Sequence, residues 1–288
     1  MIIFSTFKDN KPILFLVTTP IGNLNDISNR AIDTLKIVDI ILCEDTRQSM
    51  ILLQKYNIKK PLISLHKYNE IEKAKKINDY LILKKNIALI SDAGVPVISD
   101  PGSYLLNELY KMNNDFSVCP IGAGPAYIHA LIISGWINKN NYFGGFLPHK
   151  TSEIIKEFKK IKKFDMTTVC YYESVHRILS TISLAKQILG NDTKIIIGRE
   201  ITKINEQFII GTLAEIDQYF NFENKSVIKG EFVILFTDFE KNTVNEEIIK
   251  LKISEYKLQN KNNKEIISII IDEFKLSKNY ISNLVYKS

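Results

Sequence analysis

Cysteine is scarce in this chain of 288 residues, with only Cys43, Cys119 and Cys170, each beside an apolar run (IILCED, FSVCPI, TTVCYY). An odd count without close spacing argues against a disulfide framework or a cysteine zinc site. It reads as buried thiols in a reducing compartment. Histidine is as sparse. His66, His129, His149 and His176 show no metal-ligand spacing, so no metal site is expected. No apolar stretch reaches the ~18 residues that cross a bilayer. The start, MIIFSTFKDNKP, has neither the basic opening nor the apolar run of a secretory signal. These absences lead us to expect a cytoplasmic protein with no membrane partner. Phosphate-loop signatures are missing too. There is no GxxxxGK[ST], and the one GxG, Gly122-Ala123-Gly124, has Tyr127 where a dinucleotide fingerprint needs its third glycine.

What is present suffices for cores: 45% of residues are hydrophobic. A net charge of +6 permits a nucleic-acid partner without demanding one. Strand-like runs alternate with helical patterns: ILFLVTT, RAIDTLKIV, DIILCED, QSMILLQKYNI, PLISLH, NEIEKAKKINDYLILK, NIALIS, YLLNELYKM and FSVCPI. That alternation predicts an α/β fold with mainly parallel strands over residues 11–121. The pattern restarts near Gly122. The helical AYIHALIISGW is followed by an irregular stretch from Asn141 to Lys150. The strands TTVCYYES, KIIIGRE, EQFIIGTL and EFVILFT then mix with two helices, predicting a second α/β domain over 122–238. Residues 239–288 carry only helical patterns and more lysines than acids.

Three loops fall where ligands sit in open α/β sheets, beyond the carboxyl ends of the strands. They are TTPIGN, SDAGVPVISDPG and IGAGPA. The second packs two prolines, two glycines and two aspartates into the eleven residues from Asp92 to Gly102. Glycine lets backbone approach a ligand and proline stiffens the loop before binding, so these loops suit a ligand held largely by backbone groups. As isolated features each would be an ordinary turn; three at one sheet end make a site.

Seven stretches make the pattern specific: PIGNL (20–24), EDTR (44–47), SDAGVPVISDPG (91–102), GFLPHK (145–150), YYESVHR (171–177), REITKINEQFIIGTL (199–213) and KGEFVIL (229–235). In this order they resemble the bacterial ribosomal small-subunit methyltransferase I family, within the tetrapyrrole methylase superfamily. The resemblance spans roughly Ile13 to Phe236. It implies S-adenosyl-methionine as donor, bound in a cleft between two α/β domains, and a homodimer. It implies as substrate the ribose 2′-hydroxyl of a decoding-centre cytidine in small-subunit ribosomal RNA, free or in the 30S particle. On this resemblance Pro20, Gly22, Ser91, Asp92, Ala93 and Gly94 would meet the donor, with Val97 and Ile98 lining its apolar part. Ala123, Gly124 and Pro125 would join them, although GAGPA departs from the family's usual pattern there.

Methyl transfer needs alignment and a route for the acceptor proton. Candidates at strand ends are Glu44, Asp45 and Arg47; Glu173, His176 and Arg177; Arg199 and Glu200; and His66 with Lys67. Glu173 or His176 is the expected base, with Glu44 and Arg47 as further catalytic candidates. Each acid–arginine set could equally be a structural ion pair. Lys150, Arg177 and Arg199 are expected phosphate contacts, whereas His129, inside AYIHALII, is expected to pack. The tail patterns resemble a helix–turn–helix, with Ser277 as a cap. Lys275 and Lys278 would face RNA, unless the helices only bury Ile267, Ile270 and Phe274. Two other functions fit part of the pattern. A tetrapyrrole C-methyltransferase is opposed by EDTR, YESVHR and the basic tail, and a non-catalytic ribosome-assembly factor has only the altered GAGPA loop in its favour.

Overall fold

The computed structural model describes residues 1–112, 115–138, 140–223, 229–239, 246–259, 261–274 and 278–287. The first parallel sheet is built from β2 (Ile13–Val17), β3 (Ile40–Cys43), β4 (Leu62–Ser64), β5 (Ile87–Ile90) and β6 (Ser117–Ile121), in the order β4-β3-β5-β2-β6. Their runs are largely apolar because both faces are covered. Helices α1 (Asn29–Ile37) and α2 (Thr46–Lys55) bury Ala31, Leu35, Leu52 and Leu53 against one face. Helices α3 (Glu70–Ile82) and α4 (Ser103–Met112) bury Ala74, Ile77, Leu105 and Leu109 against the other.

The second sheet is mostly antiparallel. It holds β1 (Ile2–Ser5), β7 (Asn140–Phe146), β8 (Thr167–Glu173), β9 (Lys194–Arg199), β10 (Gln207–Thr212) and β11 (Phe232–Thr237), in the order β1-β10-β9-β11-β8-β7. Helices α6 (Thr151–Ile161), α7 (Ile178–Leu189) and α8 (Leu213–Gln218) pack on its far face. The near face shares a core with the first sheet: Cys170, Ile196, Phe208, Val233 and Leu235 cluster with Leu14, Leu16, Leu42 and Leu89. Helix α5 (Ala126–Ile132) lies in that shared core. The expected α/β architecture of two sheets is therefore observed. Residues Met1–Phe239 form one compact unit, with no packing break at residue 121.

Three elements escaped the sequence pattern. The N-terminal IIFS is a strand, because Phe4 is buried and Ile3 partly buried when it pairs antiparallel with the edge of β10. The stretch expected to be irregular is β7, hidden by two glycines and three aromatic residues. Helix α6 follows it, with Ile154, Phe158 and Ile161 on its buried face.

Residues Glu240–Ser288 form a separate unit. Helices α9 (Glu246–Leu258), α10 (Asn263–Phe274) and α11 (Lys278–Lys287) enclose a core of Ile249, Ile253, Ile266, Ile270, Ile281 and Val285. Ile267 and Ile270 are buried within it, so this helical segment has its own apolar interior. No helix among the described residues is long and apolar enough to cross a membrane.

Candidate functional site

Chain direction fixes where the first sheet opens. After β3 the chain turns outward through α2 on one face; after its neighbour β5 it crosses through α4 on the other. Adjacent strands whose connections diverge leave a crevice at their carboxyl ends. Glu44 and Asp45 end one side of that crevice, and Ser91 and Asp92 the other.

Backbone hydrogen bonds tie the three loops together at their roots. Thr19 and Gly94 exchange two bonds, of 2.9 and 3.1 Å, and the Thr18 N–H donates to the Ile121 carbonyl at 3.0 Å. Gly94 has φ +86°, a conformation that a side chain resists. The Ser91 hydroxyl is buried and donates to the Gly94 carbonyl at 2.8 Å. The Asp45 N–H donates to Asp92 Oδ1 at 3.1 Å, joining the two sides of the crevice. Pro20 is buried, whereas Gly22 and Gly124 are exposed, with open space where a Cβ would stand. Gly124 has φ +80°, Ala123 is buried, and Pro125 caps α5.

The loop after β5 is strained as well as tied. Val97 has φ +77° and Ser99 φ +63°, and a β-branched residue in this region is a true outlier. Buried Glu70, at the start of α3, holds the loop by accepting from the Gly102 N–H at 2.9 Å and the Leu105 N–H at 3.0 Å. Glu70 is not among the residues singled out from the sequence. Nothing near Glu70 in the sequence signals this contact, because the loop it holds lies more than twenty residues further along the chain.

A cavity of about 480 Å³ opens here, lined among others by Glu44, Val97, Ile98, Asp100 and Tyr104. Its lining carries Glu44, Glu70 and Asp100 against the single cation Lys67. Burial, then repulsion from Asp92 and Asp100, pushes the Glu44 carboxyl above its ordinary range, and His66 opposes the rise. Burial and Asp92 likewise push Asp100 up, against a hydrogen bond with Ser91. Arg47 instead holds Asp45 down to about 2. Such a site favours a cation. Thr18 Oγ1, just past the end of β2, is buried and has no hydrogen-bond partner among the described residues.

Several expected side chains are committed elsewhere. Arg47 pairs with Asp45 at 2.6 Å rather than with Glu44, and its side chain is exposed. Glu173 is buried. It accepts from the Ser174 N–H at 2.7 Å and the Thr181 hydroxyl at 2.8 Å, and it pairs with Arg177 at 2.7 Å. Those bonds make it an anchor, so the role of base does not suit it. Arg177 in turn donates to the carbonyls of Pro148 at 2.6 Å and Leu147 at 3.2 Å, clamping the GFLPHK segment. It is a brace before it is a phosphate contact. Arg199 donates to the Lys229 carbonyl at 2.6 Å. His176 is exposed on the turn after β8, and Lys150 is exposed beside Glu153. His129 is buried with Nδ1 3.2 Å from the Pro125 carbonyl, as packing requires. Lys275, Ser277 and the side chain of Lys278 lie outside the described residues.

This arrangement has recognisable relatives. The tetrapyrrole (corrin/porphyrin) methylase family matches residues 14–217. The chain is 42% identical over 240 residues to ribosomal RNA small subunit methyltransferase I of Bacillus subtilis, spanning 83% of this chain and 80% of that protein. It is 41% identical over 236 residues to the protein of that name from Haemophilus influenzae, spanning 82% of each. This chain belongs to the ribosomal RNA small subunit methyltransferase I family. A third member, from Thermotoga maritima, is 39% identical over 230 residues and is matched over 99% of its length. The tied loops, the acidic crevice and the Arg177 clamp are thus features of a tetrapyrrole-methylase fold in a member of this methyltransferase family.

Proposed function

We propose that this protein transfers a methyl group from S-adenosyl-methionine to the ribose 2′-hydroxyl of a decoding-centre cytidine in small-subunit ribosomal RNA. The observation that carries the reading is the crevice in which Glu44, Asp45, Asp92 and Asp100 converge on backbone-rich, pre-tied loops. When bound, the donor supplies an activated methyl on a cationic sulfur. Its positive sulfonium and ammonium groups complement the carboxylates. Pro20, Gly22, Ser91, Asp92, Ala93, Gly94, Ala123, Gly124 and Pro125 form the backbone cradle, and Val97 and Ile98 the apolar wall. Asp92 braces Asp45 by accepting from its N–H.

A ribose hydroxyl is a weak acid, so its proton needs an acceptor as the new C–O bond forms. Glu44 takes that role in this reading. It lines the cavity, and its raised pKa brings it nearer the working pH, where a general base is most effective. Holding donor and hydroxyl in line supplies on the order of 7 kcal/mol of the barrier reduction. Residues 11–121 carry most of the donor loops, 122–238 the loop from Ala123 to Pro125 and the opposing wall, and the basic tail from 239 onward contacts RNA. The working form is a cytoplasmic homodimer acting on ribosomal RNA or the 30S particle.

Calorimetric titration with S-adenosyl-methionine tests the reading. Saturable binding by the protein and its loss in an Asp92→Ala, Gly94→Ala double variant are expected, followed by ribose methylation of unmodified small-subunit particles. Absence of donor binding, with and without RNA, would leave a non-catalytic RNA-binding factor.

A further inference from the structure

Strand β7 carries a device that the proposed chemistry does not use. In an unbroken strand Phe143 and Phe146, three residues apart, would point to opposite faces. Here the register with β8 shifts between them. Gly144 and Gly145 make the shift possible. A Cβ at Gly144 would lie 2.2 Å from the Tyr171 ring, and Gly145 has φ +70°. The irregularity brings Phe146 round to the side of Phe143, as bulges do where a side chain must be re-aimed. Both rings then meet Tyr172 edge-on, with centroids 5.0 and 5.4 Å away. Tyr127 stacks flat on Phe143, 4.1 Å between centroids.

Despite this support, 68% of Phe146 stays exposed. The ring stands at a second cavity of about 490 Å³, whose lining includes Tyr172, Val175, Ile201, Phe232 and Val233. The chain beyond it is basic and braced. His149 and Lys150 are exposed, Arg177 fixes the carbonyls before them, α6 exposes Lys156 and Lys159, and Lys163 is exposed just beyond its end. Phosphates suit this segment, whereas the cationic donor suits the carboxylate crevice.

We propose that Phe146 is a stacking platform for a nucleobase of the substrate RNA, with the backbone following the basic segment from His149. This inference rests on the reading of the chain as a ribosomal RNA methyltransferase. An aromatic face takes a base without charge, and such stacking is worth about tenfold or more in affinity.

The test is binding of the full-length protein to small-subunit particles across a salt series, with donor calorimetry in parallel, for wild type, Phe146→Ala, Phe146→Leu, Phe146→Trp and Lys150→Ala. Phe146→Ala and Phe146→Leu should each bind particles about tenfold more weakly, with the salt slope and donor affinity of wild type. Phe146→Trp should restore binding. Lys150→Ala should instead make the slope shallower by about one. Wild-type particle binding by Phe146→Ala or Phe146→Leu would overturn the proposal. So would a loss confined to donor affinity, which would assign the ring to the donor's adenine. A changed oligomeric state in Phe146→Ala would also overturn it, as a contact between copies. Failure of the wild type to methylate particles would count against the enzyme reading itself, which these binding ratios do not measure.

Discussion

Glu44 and Asp45 are neighbours in the chain and opposites in chemistry. Asp45 caps α2 and is held down to about 2 by Arg47, so it stays charged through the physiological range. Glu44 and Asp100 are pushed up by burial and by neighbouring carboxylates. As pH falls through these raised values the two groups take up protons and lose their attraction for a cation. Donor affinity should therefore weaken toward acid, and calorimetry in buffers of different ionisation heat should show proton release on binding there. Without donor the sign reverses. A raised carboxyl favours the folded state as pH falls from its folded toward its unfolded pKa. As the base, Glu44 should show itself by kinetics. Glu44→Gln should lose about a hundredfold in kcat while KM for particles holds, and single-turnover methylation is the measurement. Glu173 lies deeper and acts through Arg177. Glu173→Ala leaves Arg177 without its ion partner and should cost about 3 kcal/mol in urea unfolding. The YESVHR spacing showed that these two side chains could meet, but their commitment to each other appears only once β8 is buried.

The strained loop after β5 is the element whose geometry matters most. Glu70 joins it to α3, and Gly102 leaves it by a route with no room for a side chain. A Cβ at Gly102 would stand 2.7 Å from the Val97 side chain and 2.8 Å from Leu89, at φ +134°. Gly102→Ala should destabilise the fold by about 2 kcal/mol or more. Donor affinity should fall with it, because Val97 and Ile98 form the wall. Thermal unfolding and donor titration on the same variant check both effects. The Gly-Pro density of this loop was plain in the sequence; its tether was not, since Glu70 lies twenty-one residues before Ser91. Strand β7 failed to show for a related reason. Its two glycines mimic a turn signal, and only the Tyr171 ring against Gly144 explains why they belong in a strand.

For the whole molecule, the two sheets share one core and the tail keeps its own. Removal of residues 240–288 should leave the unfolding temperature of the remaining unit close to its original value. It should weaken RNA binding and flatten its salt dependence if the tail lysines meet phosphates. Unchanged affinity would make the tail an appendage. By itself the sequence determined the alternation of strands and helices, the three loops at one sheet end, and the buried thiols. Periodicity, glycine, proline and burial preference act locally and leave marks on nearby residues. Only the tertiary structure decided that the N-terminal residues complete the second sheet, that the two sheets share an interior, and which oxygens and guanidinium nitrogens are free to act. Those outcomes depend on contacts between distant segments, such as Ile3 with Ile209 and Asp45 with Asp92, whose hydrogen bonds and desolvation are set when the layers close.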